Sequence, residues 1–181
     1  TSLPALRAAL AGCAFAEIRL EALRADAREV AALFASGKKL IATMRAGRRG
    51  DAERAEILRA VICGGAAYVD VELEAKPGFR REVIEAARRK GCRVIVSHHD
   101  GRGTPPREEL LRIAARCLEA GADVAKIACR TDGAAAAARL VGLLGDPDPV
   151  LPVGMGALGL RARVAALALG APFPYAARAA G

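Results

Sequence analysis

Short apolar segments alternate with helix-like segments along the whole chain, and this alternation constrains the fold more than any other feature. The apolar segments are rich in Val and Ile and recur roughly every 22 to 30 residues, which is the span of a strand and its crossover helix. They predict strands at 14–20, 39–45, 68–74, 93–99, 123–129, 150–155 and 171–175. Helices are predicted to fill the gaps, so the chain consists of repeated βα units.

Capping residues predict several helix ends. Asp51 is predicted to cap a helix over 52–63, because its carboxylate can accept from free amide groups of the first turn. Thr104 is predicted to cap a helix over 105–120 for the same reason. Gly91 is predicted to end the helix that precedes it, since glycine adopts the left-handed conformation easily.

The strand composition predicts a parallel sheet that is covered on both faces. Repeated βα units form either a closed barrel or an open doubly wound sheet. No Gly-x-Gly-x-x-Gly follows the first predicted strand, which argues against a dinucleotide-binding sheet. The length of 181 residues fits one domain, and we predict a single domain over residues 1–181.

Composition excludes several classes of protein. Hydrophobic residues make up 53% of the chain, so a disordered chain is excluded. No apolar stretch is long enough to span a bilayer, and we expect no membrane association and no signal peptide. Five cysteines form no Cys-x-x-Cys pair and fall mostly on apolar positions. They predict reduced packing residues in a cytoplasmic protein, with no bound metal.

The net charge of +8 suggests two kinds of partner. A basic protein can bind nucleic acid. Here, however, the arginines are spread over many predicted helices and alternate with glutamates, which is typical of a solvated surface. We therefore expect no nucleic-acid partner and favour a small anionic substrate.

Lys126 is the most informative residue for function. It lies within the apolar segment 124–129, where burial disfavours the ammonium form and is expected to lower the pKa of the amine. A free amine in an apolar pocket is the chemistry of a Schiff-base nucleophile. The only two histidines, His98 and His99, end another apolar segment. An amine and an imidazole at the ends of neighbouring strands predict an imine-forming site with an acid/base.

Polar residues near the strand ends follow a period of two. The pairs are Glu17 with Arg19, Thr43 with Arg45, and Asp70 with Glu72. Each pair shares one face of its strand, because successive side chains point to opposite faces. In an eight-stranded barrel the carboxyl ends of the strands converge on one mouth, where such enzymes place their sites. The pattern therefore favours a (βα)8 TIM barrel.

Six segments, in this order, resemble the type I 3-dehydroquinate dehydratases, enzymes of the shikimate pathway. They are Glu-Ile-Arg-Leu-Glu at 17–21, Thr-Met-Arg at 43–45, Tyr-Val-Asp-Val-Glu-Leu at 68–73, the histidine segment 94–105, Gly-Ala-Asp-Val-Ala-Lys-Ile-Ala at 121–128, and 155–164. The resemblance implies a (βα)8 barrel, usually a homodimer, without metal or organic cofactor. It also implies the conversion of 3-dehydroquinate, an anionic hydroxy-keto acid, to 3-dehydroshikimate, on the way to chorismate and aromatic amino acids.

The resemblance also implies the roles of individual residues. Lys126 would form the imine. The family's Ser-x-His pattern selects His99 over His98 as the acid/base, a choice that strand parity alone leaves open. The remaining roles are substrate contacts by Glu17, Arg19 and Arg45, carboxylate binding by Arg163, orientation of the histidine by Asp70, and a pocket wall at Met155.

The chain departs from the family in three places. Most members carry Glu-Gly-Gly after the Thr-x-Arg strand, and that glutamate supports the histidine. Residues 46–51 lack it, so Asp51 or Asp70 is expected to take its place. The family's first strand and its C-terminal lid are also expected to be missing here, or the ends of the chain to differ.

Two other functions compete with this interpretation. A class I aldolase would use the same lysine chemistry on a sugar phosphate, with phosphate at the glycine-rich turn 154–159. A non-catalytic basic module would bind nucleic acid, although the chain lacks a series of aromatic residues for stacking on bases.

Overall fold

Strands and helices alternate throughout the computed structural model, which describes residues 2–23, 25–145 and 149–176. The elements are α1 Leu3–Leu10, β1 Phe15–Arg19, a 3-10 turn Leu20–Ala22, α2 Ala27–Phe34, β2 Lys39–Thr43, α3 Asp51–Cys63, β3 Tyr68–Glu72, α4 Pro77–Lys90, β4 Arg93–Asp100, α5 Arg107–Glu119, β5 Val124–Arg130, α6 Ala134–Val141, β6 Val150–Met155 and α7 Gly159–Ala168. The predicted βα alternation is confirmed.

The strands follow the order β1-β2-β3-β4-β5-β6 in the sheet, the same as their order along the chain. β1 pairs with β2 in parallel, with Glu17 level with Ile41, and β2 pairs with β3, with Thr43 level with Asp70. β5 and β6 are also parallel. Parallel neighbours in chain order require a crossover between every two strands, and the helices supply these crossovers.

The chain groups into two compact units, Thr1–Ile95 (unit 1) and Val96–Gly181 (unit 2). The boundary falls within β4, since Ile95 ends unit 1 and Val96 begins unit 2. The single domain over 1–181 stays a prediction. Within the described residues, no helix is both long enough and apolar enough to pass through a bilayer.

The interior of unit 1 forms where helices cover its strands. Helix α3 packs between α2 and α4 and also contacts β2 and β3. Both faces of β2 are buried, because four of its five residues are shielded from solvent. The most completely buried side chains of this unit include Ile18, Phe34, Leu40, Ile41, Leu58 and Val61.

A buried arginine joins α3 to the end of β2. Arg54 is only 4% exposed, and its Nη2 donates to the carbonyl of Met44 at 2.9 Å. Its Nη1 donates to Asp51 at 3.0 Å, and its guanidinium carbon lies 4.4 Å from the centre of the Phe79 ring. A buried guanidinium needs such partners because its charge cannot be neutralised by proton loss.

The interior of unit 2 is built around β5, in which six of seven residues are buried. Helix α5 packs on β5, and α6 and α7 pack on β6. These helices contribute Leu110, Ile113, Cys117, Leu140 and Ala162 to the interior. Burial on both faces agrees with the covered parallel sheet that the Val/Ile-rich segments predict.

The predicted seventh strand, 171–175, is wrong. Residues 171–176 are described and form no strand. Pro172 and Pro174 explain the difference, because a proline has no amide hydrogen to donate to a neighbouring strand. The chain ends expected to differ from the family include 177–181, which lie outside the described residues.

Two of the predicted helix caps are also wrong. Gly50 occupies the capping position before α3, and Asp51 is the first helical residue. Helix α5 begins at Arg107, and the Thr104 hydroxyl instead donates to the carbonyl of Arg130 at 2.8 Å. The end at Gly91 is confirmed, since this glycine follows α4 in the left-handed conformation with φ 68°.

Helix α7 approaches β6 so closely that its first residue touches the strand backbone. A Cβ added to Gly154 would lie 2.7 Å from the carbonyl oxygen of Gly159 and 2.8 Å from the Cβ of Ala162. A Cβ added to Gly159 would meet the backbone of Gly154 even more closely. Both glycines are therefore required by the packing of α7 against β6.

We expect Gly159→Ala to lower the free energy of unfolding by about 1 to 3 kcal/mol, because the added methyl group forces the helix away from the strand. Gly78→Ala is the matched control, since Gly78 also lies in a first helical turn and a Cβ there meets nothing within 4 Å. It should leave stability unchanged or raise it by up to about 1 kcal/mol. Urea denaturation of the full chain measures both. Equal effects of the two substitutions would contradict the close approach.

Candidate active site

Lys126 is the third residue of β5 and is 3% exposed, so its predicted burial is confirmed. Its neighbours along the strand, Ala125 and Ile127, are fully buried. An amine buried among such neighbours needs hydrogen-bond partners. The contact that Lys126 makes there is therefore important for its chemistry.

Tyr175 provides that contact. Lys126 Nζ lies 3.3 Å from the Tyr175 hydroxyl, to which it donates a hydrogen bond, and 4.5 Å from the centre of the Tyr175 ring. The ring of Phe173 packs against that of Tyr175 at 5.9 Å between centres. The sequence did not reveal this partner, because residues 171–175 were predicted to form a strand. The one signal available was the rarity of tyrosine, of which the chain has two.

The two histidines lie near the carboxyl end of β4, the strand next to β5 in the sheet. Ser97, which precedes them, is fully buried, whereas His98 and His99 are half-buried. Because side chains alternate along a strand, His98 and His99 point to opposite faces of the sheet.

Asp100 ends β4 as an ionised carboxylate. The backbone amide of Arg102 donates to it at 2.8 Å, and the Arg102 guanidinium is also in contact, so the pKa of Asp100 is lowered from its usual value. The nearby His98 lowers the pKa of Asp100 further by a smaller amount. The carboxylate therefore carries its charge at neutral pH.

Cys129 lies on β5 close to Asp100. Burial, and to a smaller extent the negative charge of Asp100, raise the pKa of the Cys129 thiol to about 11. At neutral pH the thiol is protonated, so Cys129 is a packing residue and not a nucleophile.

Two further predicted residues of unit 2 lie at the end of β6. Met155 is the half-buried last residue of this strand, level with Arg130 of β5. Arg163, on α7, donates from Nη1 to the carbonyl of Gly154 at 2.6 Å. Its Nε is buried and has no acceptor within hydrogen-bond distance among the described residues.

In unit 1, the predicted arginines take part in a series of ionic contacts. Arg45 Nη1 lies 2.9 Å from Glu72 Oε1, and the amide of Arg45 donates to Glu21 at 3.4 Å. Glu21 also pairs with Arg19 at 2.5 Å. Glu21 and Glu72 were not among the predicted site residues. Alternation along the strand had nevertheless placed Glu72 on the same face as Asp70.

The predicted residues of unit 1 differ in exposure. Arg45 follows the end of β2, and its side chain is 16% exposed, whereas that of Arg19 is 57% exposed. Glu17 is half-buried on β1, and Asp70 is 2% exposed on β3. Asp70 is level with the buried Thr43, so it lies deeper in the unit than the two arginines.

Asp51, one of the residues expected to replace the missing glutamate, belongs to an ion-pair cluster at the start of α3. It lies 3.0 Å from Lys76 Nζ and 3.0 Å from Arg54 Nη1. The hydrogen bond from Lys76 is the main reason why the pKa of Asp51 is lowered. These contacts assign Asp51 a structural role within unit 1.

The glycine-rich turn 154–159 was the feature that favoured a sugar-phosphate enzyme. Two of its glycines are explained by the contact between α7 and β6. The amide of Gly159 also donates to the carbonyl of Gly156 at 3.0 Å, so this amide is not directed at an anion. In the described part of the chain, no three His, Cys, Asp or Glu side chains are grouped as a metal ion requires.

Comparison with known proteins identifies the family. The model of the type I 3-dehydroquinase family matches residues 3–180. The 3-dehydroquinate dehydratase of Thermococcus gammatolerans is 34% identical over 166 residues, which cover 88% of this chain and 76% of that protein. The enzyme of the same name from Methanothermobacter thermautotrophicus is 34% identical over 185 residues, covering 97% of this chain and 80% of that protein.

A solved structure shares the fold. The 3-dehydroquinate dehydratase from Aquifex aeolicus matches with a TM-score of 0.81 at 20% identity, over 94% of this chain and 84% of that chain. At this identity the likeness concerns the fold alone, and it confirms the TIM-barrel class that the polar pairs at the strand ends favour. Because the family model spans nearly the whole sequence, the chain belongs to the type I 3-dehydroquinase family.

Proposed function

We propose that this chain is a hydro-lyase that converts 3-dehydroquinate to 3-dehydroshikimate through a Schiff base on Lys126. The observation that carries the proposal is the burial of this amine, 3% exposed, in the middle of an apolar strand. A lysine amine held within an apolar strand is the setting in which Schiff-base lysines act as nucleophiles on ketones. Family membership supplies the substrate, since the curated relatives carry the name of this activity.

The proposed reaction begins when Lys126 Nζ attacks the C3 ketone and water leaves, which forms an iminium. The positive nitrogen withdraws electrons and acidifies the proton on C2. His99 removes this proton to give an enamine, and then protonates the C1 hydroxyl as it departs as water. Water hydrolyses the resulting imine, which releases 3-dehydroshikimate and the free amine. The net change is the loss of one water molecule.

The neighbourhood of Asp100 supports His99 over His98 as the acid/base. Alternation places His98 and Asp100 on one face of β4, in agreement with the effect of His98 on the pKa of Asp100. Asp100 also acts on Cys129, and alternation places Cys129 on the opposite face of β5 from Lys126. His99 is then the histidine on the side of Lys126.

The other proposed roles follow the family resemblance. Arg163 would bind the substrate carboxylate, for which a guanidinium is suited because its planar fork can donate two parallel hydrogen bonds. Glu17, Arg19 and Arg45 would contact the rest of the substrate. Asp70 would orient the histidine, and Met155 would line the pocket. No cofactor is required by the proposed chemistry.

A class I aldolase is not favoured as an alternative. It shares the lysine chemistry but needs a phosphate site, and the glycines at 154–159 have a packing role instead. The family match also names a different activity. The absence of a nucleic-acid partner stays a prediction, which a gel-shift assay at several salt concentrations tests.

We also propose that the protein acts in the cytoplasm as a homodimer. The five cysteines are free thiols, as a reducing compartment would keep them. Helix α7 exposes an apolar row, Leu160, Val164 and Leu167, whose members are 56%, 61% and 49% exposed. The spacing of four and three residues places them on one face of the helix, where a second copy would cover them.

Borohydride added together with 3-dehydroquinate should fix the ligand on Lys126. Reduction of the imine adds the mass of substrate or product less one oxygen atom, which intact-protein and peptide mass spectrometry detect. Lys126→Met should show no adduct and no formation of the conjugated enone in an ultraviolet assay. Lys90→Met, which removes an exposed lysine, is the control and should behave as wild type. An active wild type without an adduct would reject covalent catalysis.

His99→Ala should lower kcat by about 10² to 10⁴, the usual contribution of a positioned acid/base. His98→Ala is the matched control, since the adjacent histidine has the same chemistry and similar exposure. It should lower kcat far less than His99→Ala. The ultraviolet assay measures both variants, and equal losses would overturn the choice of His99.

Val164→Glu should convert the dimer to a monomer, because it places a charge within the apolar row of α7. Sedimentation velocity or light scattering measures the mass. Ala52→Glu, an equivalent change at an exposed position on α3, should leave the dimer intact. A wild type that is monomeric at all concentrations tested would rule out the proposed assembly.

A further inference from the structure

We infer that Tyr175 is a positioning residue for Lys126, which holds the amine in place and stabilises the positive charge that its nitrogen carries during the reaction. The inference rests on the proposed function of Lys126 as the imine-forming lysine. It concerns a residue that the predicted site did not include and that lies 49 positions further along the chain.

One tyrosine side chain makes two different contacts with the same nitrogen. The hydroxyl is 3.3 Å from Nζ, and the ring centre is 4.5 Å away. If Nζ lay beyond the hydroxyl oxygen, on the extension of the C–O bond, its distance from the ring centre would be much greater. Lys126 Nζ therefore lies over the hydroxyl end of the phenol, where both the oxygen and the ring face can act on it.

These contacts suit each form of the nitrogen in the proposed reaction. The hydroxyl accepts a hydrogen bond from the ammonium form and can donate one to the lone pair of the free amine. The iminium keeps one N–H and a positive charge, so the hydroxyl can accept from it and the ring face attracts it. The buried aliphatic neighbours of Lys126 on β5 offer neither interaction.

The segment that carries Tyr175 is well anchored. Gly170 turns the chain after α7 with φ 94°, and the amide of Ala171 donates to the carbonyl of Ala166 at 2.9 Å. Two prolines then restrict the backbone on either side of Phe173, which is 8% exposed and packs against the Tyr175 ring. Little conformational freedom remains to be lost when the tyrosine meets the amine.

Tyr68, the second tyrosine of the chain, offers a matched control. Its hydroxyl accepts from Arg93 at 3.0 Å, and the Arg93 guanidinium lies 5.2 Å from its ring centre. It thus makes the same pair of contacts with a cation, at a different place in the fold. Tyr68→Phe removes the same hydroxyl without affecting Lys126.

The test compares wild type, Tyr175→Phe, Tyr175→Leu and Tyr68→Phe. The first readout is the rate at which cyanate carbamylates Lys126 as a function of pH, followed by peptide mass spectrometry. Cyanate reacts only with the free amine, so the pH at which the carbamylation rate is half-maximal reports the stability of the charged form. The access of cyanate to the amine affects the maximal rate instead. We expect the midpoint of Tyr175→Leu to fall by roughly half a pH unit. The midpoint of Tyr175→Phe, which keeps the ring, should fall by less. The midpoint of Tyr68→Phe should equal that of wild type.

The second readout is dehydration of 3-dehydroquinate. Both Tyr175 variants should lower kcat about tenfold or more with little change in KM, because the stabilised charge belongs to the iminium and not to the bound substrate. An unchanged midpoint and an unchanged kcat in Tyr175→Leu would overturn the inference. Effects of Tyr68→Phe as large as those of the Tyr175 variants would also overturn it. Circular dichroism checks folding, and the near-isosteric Tyr175→Phe keeps the test valid if the leucine variant fails to fold.

The two readouts separate this inference from the proposed function. Carbamylation needs no 3-dehydroquinate, so an inactive wild type with a Tyr175-dependent midpoint would reject the proposed function and support the contact. An active wild type with a borohydride adduct, but no dependence on Tyr175 in either readout, would reject the contact and support the proposed function.

Discussion

Burial of one amine, that of Lys126, constrains the structure around it. A primary amine is stable in water as a cation, and an apolar interior opposes that charge. β5 places Lys126 between fully buried aliphatic residues, so the chain accepts a cost in stability at this position. The proposed role of Lys126 as the imine-forming residue gives this cost a function.

The apolar and the polar neighbours of Lys126 come from different parts of the chain. Along β5 the neighbouring side chains keep water out, and the only cysteine of that strand is a protonated thiol. A hydrogen bond to the amine comes from Tyr175, a residue beyond the last helix. A distant segment thus supplies a partner that the aliphatic neighbours of Lys126 on β5 cannot supply.

Local sequence pattern predicted those parts of the fold that depend on local chemistry. The continuous apolar segment around Lys126 predicted both a strand and the burial of the lysine, because a strand covered on two faces needs apolar residues throughout. The same rule failed at 171–175, where two prolines remove the amide donors that a strand requires. Thr104 failed as a cap because its hydroxyl is bonded to the distant Arg130 carbonyl, which no local pattern indicates.

The candidate site, like the fold, was predictable where it depends on local pattern. The period of two placed Glu72 on the face of Asp70, and the partner of Glu72, Arg45, was itself a predicted residue. The assignment of roles came from the family resemblance, since strand parity left His98 and His99 equivalent. Tyr175 escaped prediction because its contact with Lys126 joins segments 49 residues apart, and only the folded chain brings them together.

The contact between Gly154 and Gly159 has an effect on the arginine that follows it. Because α7 begins against the backbone of β6, Arg163 reaches the Gly154 carbonyl with its guanidinium already oriented. A long side chain normally sacrifices considerable rotamer entropy when it binds an acid. Here much of that entropy is lost during folding, because the guanidinium is already bound to the Gly154 carbonyl. Two residues without side chains thus determine how rigidly a third presents its charge.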